Sequence, residues 1–370
     1  MTQPESGRPQ GLKTIEETMK HRLITAALLC PIASWAQSSV TIYGIADLGV
    51  RHSTGLSATH ASDPGTTNAL TSGIDNTSRL GFRGTEDLGG GMRALFNLET
   101  GLNLDAGTTV NATKFFDRAS FVGLGGAWGT LTAGRQTNLL ADAIGPVDAV
   151  GMRFASFNPN IVTTAVSTHG LGIEYGTSGA TTGSYRLDNS LKYTGVFGPV
   201  VAKAMYSFGE TTNAASAKSS AGLGAQYQIE KLMISGAYQN FKSVNYLDLE
   251  AATLGASYQF TTLRLAANYG RNKGQTTGTA ETVQKVGSVG ATWAATPAVD
   301  LTAAFYKLDR TRTGAADDGY SRVILFAEYK FSRRTKLYAE ADYTDWKNNY
   351  QGSANKSKGT GATVGVMHTF

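Results

Sequence analysis

Cysteine occurs once in these 370 residues, as Cys30, inside an N-terminal stretch with the layout of an export signal. The chain beyond it has none. An exported chain without cysteine forms no disulfides and uses no thiolate as metal ligand or nucleophile. Proline is scarce at 8 residues, and charged side chains make up 16%, well below the usual proportion of about a quarter. Past the signal there is no run of about eighteen apolar residues, which excludes membrane-spanning helices. The formal net charge is +5; residues 1–36 hold four basic and three acidic groups, so +4 remains without them. That surplus is too modest for a nucleic-acid partner, and a solvated surface carries it equally well. No GxSxG, HExxH or Walker loop is present, and His21, His52, His60, His169 and His368 are scattered. GLGGAWG and GLGAQYQ lie at a turn and within a strand, without the helix a phosphate cradle needs. We expect no enzyme and no cofactor.

What is present starts at Met19 with MKHRLITAALLCPIASWA. Lys20, His21 and Arg22 give a basic end, Leu23 to Ile32 an apolar core, and Ser34 and Ala36 the small residues before a cut. We read 19–36 as a Sec-type signal peptide, too short for an anchor. Leu29 stands where a lipoprotein signal wants a small residue before its cysteine, which argues against a lipid on Cys30. The polar residues 1–18 precede the signal, as an extension or a start placed too early. The mature chain is then 37–370.

From Ser38 the chain runs in short segments of alternating apolar and polar residues, as in SSVTIYGIADLGV, TSRLGFRGTED, FFDRASFVGL, WGTLTAGRQ and YRLDNSLKYTG. Side chains alternate along a strand. Leu80 and Phe82 therefore oppose Arg79, Gly81 and Arg83, and Leu187, Leu191 and Tyr193 oppose Arg186, Asp188, Ser190 and Lys192. Tight turns such as Leu88 to Gly91, Glu230-Lys231 and Thr296-Pro297 alternate with longer polar loops at 211–218, 274–282, 311–318 and 348–357. Counting segments gives about sixteen strands, an even number with the short-turn, long-loop asymmetry of a membrane barrel. Tyr43, Trp128, Tyr258, Phe260, Trp293, Tyr329, Phe331, Tyr343 and Trp346 sit near strand ends, where aromatic girdles belong. A mean hydropathy of −0.18 fits a barrel that hides its apolar face by alternation. A soluble sandwich also alternates, but its packed core needs large residues, and here one face is small or polar.

The rhythm lapses between 136 and 184. So long an irregular segment is rare unless functional, and in a wide barrel its place is inside the lumen. The expected fold is thus all-β: a transmembrane antiparallel barrel of about sixteen strands whose long third loop narrows the bore.

SSVTIYGIADLGV, SRLGFRGTEDLGGGMRALFNLE, GRQ before the long segment and the final Phe370 together resemble the Gram-negative trimeric porins of β-proteobacteria. The resemblance covers the mature chain, and SRLGFRGTEDLGGG is its most specific part. It implies a homotrimer in the outer membrane, among its lipids and lipopolysaccharide, passing ions and small hydrophilic solutes by diffusion, often with anion preference. By their neighbours Arg79 (SRLG) and Arg118 (DRAS) match the family's eyelet arginines; Lys192 in NSLKYTG is a weaker match. The last strand, with Ala362, Val364, Val366, His368 and Phe370 on one face, is similar to the signal read by the barrel-assembly machinery. His368 departs from the apolar or aromatic residue expected there.

The candidate constriction residues follow. The wall offers Arg79, Arg83, Arg118, Arg186, Lys192 and Lys203, and rings of such charges set selectivity in channels. Opposite them the inserted segment offers Asp142 and Asp148, with Arg153 undirected, so a transverse field is expected. Each cation also has an alternative role as a solvated wall residue or a salt-bridge partner. Arg135 falls with Leu131 and Ala133 by strict alternation, and a one-residue slip flips any of these faces. Glu340 and Asp342 share a strand face, where lumen water or loop cations would meet them. Besides a general diffusion channel, a substrate-selective channel for anionic solutes stays open if Tyr306 or Tyr338 lies beside the arginines. A third class is a barrel acting as adhesin or enzyme.

Overall fold

A computed structural model of the chain describes residues 39–57, 61–154, 158–160, 171, 173–177 and 185–370. The expected extension and signal peptide (1–36) lie outside the described residues, as does much of 155–184.

The wall opens with β1 (Ser39–Leu56), β2 (Ser62–Ser72), β3 (Arg79–Gly89) and β4 (Met92–Asn103). A two-residue β5 (Thr108–Thr109) is followed by β6 (Ala119–Gly126), β7 (Gly129–Thr137), helix α1 (Leu139–Ile144), β8 (Arg186–Phe197) and β9 (Val200–Ser207). Then come β10 (Ser220–Ile229), β11 (Leu232–Lys242), β12 (Asp248–Gln259), β13 (Leu263–Gln275) and β14 (Glu281–Thr296). The chain finishes with β15 (Val299–Arg312), β16 (Ala315–Lys330), β17 (Thr335–Lys347) and β18 (Lys358–Thr369). The wall pairings are antiparallel, and β1 closes the ring by pairing with β18 through Ile45–Thr54. On its other side β1 meets β2 from Leu48 upward and β3 along Ser39–Ile45. β2 and β3 are therefore halves of one wall strand, interrupted at 73–78. With β5 paired only to β4, the barrel has 16 wall strands.

The two faces differ as alternation requires. Val50, Leu223, Leu254, Val289 and Val364 are each more than half exposed on one face. Ser235, Gln239, Thr253, Asn268, Gln284 and Thr302 are buried on the other. A hydrocarbon solvent accepts the first set, and a polar interior accepts the second. Exposed aromatics pair near the short-turn end, with Tyr258–Phe260 rings 4.7 Å apart and Tyr329–Phe331 rings 5.0 Å apart. The tightest turn holds Gly89, Gly90 and Gly91, all at positive φ. A side chain is strained at such angles. One expected loop is absent: across 311–318 the strands run on, Arg312 pairs with Ala315, and Arg310 grips Asp318 with two hydrogen bonds of 2.7 and 2.6 Å.

Glu340 and Asp342 face neither water nor a loop cation. Both side chains are fully buried against Arg51, which donates to Glu340 at 3.0 Å, Asp342 at 2.6 Å and Thr363 at 3.1 Å. Gly361 makes the room, since a Cβ there would stand 2.0 Å from the Arg51 guanidinium. These residues tie β1, β17 and β18 across the closing seam. Arg51→Ala should leave two buried carboxylates without their cation and destabilise the barrel by about 3–5 kcal/mol. Urea unfolding in detergent micelles would measure this, and a shift under 1 kcal/mol (roughly the worth of a surface pair) would rule out the clamp.

Candidate pore constriction

The long segment begins as a short helix. Asn138 caps α1, its side chain accepting from Ala141 N–H at 2.9 Å, and Leu139, Leu140, Ala143 and Ile144 are buried. Its contacts then follow the wall strand by strand, on their buried face. Leu139 N–H donates to Gln239 on β11, and Gln226 on β10 donates to the Asp142 carbonyl. Ser257 on β12 and Arg264 on β13 both donate to the Pro146 carbonyl. Asn160 donates to Ser288 on β14, and Tyr306 on β15 donates to Asp148. Arg153 reaches Glu328 on β16 at 2.7 Å. Phe154 N–H bonds the Asp75 carbonyl within the β2–β3 interruption.

The wall leaves space for this course. A Cβ on Gly255 would stand 2.6 Å from Val147, and one on Gly290 2.5 Å from the Ala149 methyl. Ala149, Val150 and Phe154 share an apolar cluster with Ile74, Tyr306, Ile324, Phe326 and Tyr338. The small residues noted on so many strands are thus partly the footprint of this segment.

Among the candidate residues, one group gathers around Glu99 of β4. Arg118 donates to its carboxylate at 2.6 Å, Tyr43 at 2.8 Å, and Arg79 lies 4.0 Å away. The Arg83 guanidinium sits 4.9 Å above the Tyr43 ring, and that of Arg186 4.4 Å above the Tyr185 ring. Glu99 escaped the sequence reading, although alternation along MRALFNLETGL puts it on the face of Asn97. Burial pushes the Tyr185 hydroxyl up, but the guanidinium groups of Arg186, Arg118 and Arg79 outweigh it and bring it down to about 8.

A second group corrects the expected transverse field. Asp142 does not oppose the lysines; it binds both, at 2.9 Å to Lys192 and 2.9 Å to Lys203. Burial works to raise its carboxyl, and the two ammonium groups overcome that and hold it below the ordinary aspartate value. Asp148 is also misplaced by the sequence reading. It is fully buried, accepting from Met152 N–H, Asn158, Asn160 and Tyr306, and so folds the segment instead of facing water.

A bulge on β8 changed which of its side chains share a face. Between β7 and β8 the register shifts at Gly134/Gln136. Gly134 has φ +132°, and a Cβ there would meet the Ser120 carbonyl at 2.2 Å. On β8, Asn189 takes a left-handed φ of 52°. An extra residue of this kind resets alternation. Leu187 therefore becomes fully buried, and Asp188 turns to Arg135 instead of sharing a face with Lys192. Arg135 is buried too, paired to Asp188 at 2.7 Å.

A closed antiparallel barrel with an apolar outside and a polar inside defines a transmembrane β-barrel. A sequence profile described as Gram-negative porin matches residues 24–349. An outer membrane porin of Bordetella pertussis is 28% identical over 95% of this chain and all of its own length. Outer membrane porin protein 32 of Delftia acidovorans is 30% identical at the same coverage. Among solved structures, an anion-selective porin from Comamonas acidovorans matches with a TM-score of 0.75 and 26% identity, over 90% of this chain and all of that one. The chain belongs to the Gram-negative porin family and is an outer-membrane channel protein.

As pH rises through about 8, the Tyr185 phenolate should cancel one positive charge beside the arginines. The reversal potential across a salt-gradient bilayer should therefore move toward cations between neutral and pH 9, and Tyr185→Phe should abolish that movement. An identical shift in the variant would exclude the phenol.

Proposed function

We propose that the described part of the expected constriction region 136–184, from Gln136 to Phe154 with Asn158 and Asn160, folds into the lumen, and that the pore passes ions and small hydrophilic solutes passively with a preference for anions. The observation that carries this reading is the imbalance of charge around Glu99. Arg79, Arg118 and Arg186 bring three guanidinium groups to the neighbourhood of one carboxylate, with Arg83 nearby. Guanidinium groups stay charged at any accessible pH and offer a fork of donors that replaces part of an anion's hydration. Lys192 and Lys203 contribute less, because Asp142 holds both. The contacts from β10 to β16 support a segment that crosses the bore while tethered along the wall.

The substrate-selective alternative asked for Tyr306 or Tyr338 beside the arginines. Both are buried, donating to Asp148 and Asp47 respectively. Neither offers an aromatic surface to a passing solute, so general diffusion is the better reading. We propose a homotrimer as the assembly, following the family resemblance, with the Phe370 strand presented to the barrel-assembly machinery.

The test exchanges the charges. Arg79→Glu with Arg118→Glu should keep the barrel folded and move the reversal potential from anion-preferring to cation-preferring. An unchanged potential in a folded variant would remove these arginines from the site.

A further inference from the structure

The pairings of β1, β3, β4 and β6 fix a small grid on the inner face of the wall. One row runs Tyr43, Gly81, Glu99 and Ala119; the next, toward the short turns, runs Thr41, Arg83, Asn97 and Phe121. Ser39, Thr85 and Leu95 begin a third. Arg83 differs from the other cations of this interior. Arg79 and Arg118 share Glu99, Lys192 and Lys203 share Asp142, and Arg310 and Arg312 share Asp318. Arg83 is exposed and makes no ion pair or hydrogen bond among the described residues. Its register partners, Thr41 and Asn97, are neutral. Two acids share its face: Glu99, on the diagonal, is held by Arg118 and Tyr43, and Asp87, farther along β3, stands in register with Arg93.

The Arg83 guanidinium rests 4.9 Å from the centre of the Tyr43 ring. Stacked this way, a guanidinium keeps its fork of donors in the plane, where a carboxylate can take two of them. Beside it the wall dips into a pocket of about 320 Å³, lined by Thr41, Thr85, Leu95, Asn97 and Phe121 together with Arg83. Leu95 and Phe121 are only half-buried, so both still offer apolar surface. Ligand clefts run from about 300 to 1,000 Å³, and a volume at the low end suits a single ring. One unpaired cation suits a single negative charge. The pocket is on the inner face, so neither lipid nor a neighbouring barrel covers it, and its occupant is a solute in the bore.

We propose that this pocket is a subsite for monocarboxylates with a compact aromatic body, the carboxylate on Arg83 and the ring against Phe121 and Leu95. The inference rests on the reading of the bore as an anion-preferring diffusion path: this class is held briefly in transit while other small solutes pass. The test is block of the chloride current through the channel in a planar bilayer, with benzoate, acetate and benzylammonium as probes. In the wild-type protein benzoate should half-block at a concentration roughly tenfold lower than acetate, from the apolar area of its ring leaving water. Benzylammonium, with the same ring and the opposite charge, should not block there. Phe121→Ala should remove most of the advantage of benzoate over acetate, and Arg83→Gln should weaken both anions about tenfold, from the loss of charge-assisted hydrogen bonds. Equal block by benzoate and acetate in the wild-type channel would overturn the proposal without recourse to a variant. Equal block by benzylammonium would overturn it too, as the mark of a bare apolar site, and so would a benzoate advantage untouched by Phe121→Ala. An anion-preferring reversal potential without any benzoate advantage sinks this inference alone; a potential without anion preference sinks the reading beneath it as well.

Discussion

A sheet that crosses hydrocarbon has no water to satisfy its edge, so every backbone group must pair within the wall. The rest of this structure depends on how β1 meets that demand. Its outer half pairs with β2, its inner half with β3, and its opposite edge with β18. Phe370 and Gly44 exchange backbone hydrogen bonds where the ring closes. The buried Arg51 with Glu340 and Asp342 then locks side chains across the same seam. Once the ring is closed, alternation leaves no choice about sides. Every second residue faces lipid, and the others face a shared interior.

We propose that a segment of the chain is laid along that interior. Fixing it costs conformational entropy, which successive contacts offset: glycines that make room, backbone carbonyls that accept from the wall, and an apolar cluster around Phe154. Asp148 organises the far end of the segment from within. Asp142 bridges two lysines beside it and offsets one of their charges, and the arginines around Glu99 keep a larger surplus of positive charge. Selectivity in this account rests on that uneven distribution, not on acids facing bases across the hole.

The strands and their alternation were legible because a half-lipid, half-water wall leaves period-two patterning in every segment. The arginines of SRLG and DRAS were singled out by the family resemblance of their neighbours, and Arg79 also by its place in the alternation. What alternation conceals is local departure from it. One bulge on β8, opposite Gly134, moved Leu187 inward, and the 73–78 interruption split one wall strand into β2 and β3. The polar run at 311–318 looked like a loop, yet cross-strand pairing of Arg310 with Asp318 carries the hairpin through it. Asp142 and Asp148 were found as residues but misread in role. Partner choice inside an irregular segment depends on contacts far away in sequence, such as Lys203 and Tyr306.

The central claim is that the segment between β7 and β8 sets the bore. The most direct test is the single-channel conductance of the protein against that of a variant in which residues 139–177 are replaced by a short flexible link. The account predicts a larger conductance and a weaker ion preference in the variant, with the barrel still folded. A folded variant with wild-type conductance would contradict it.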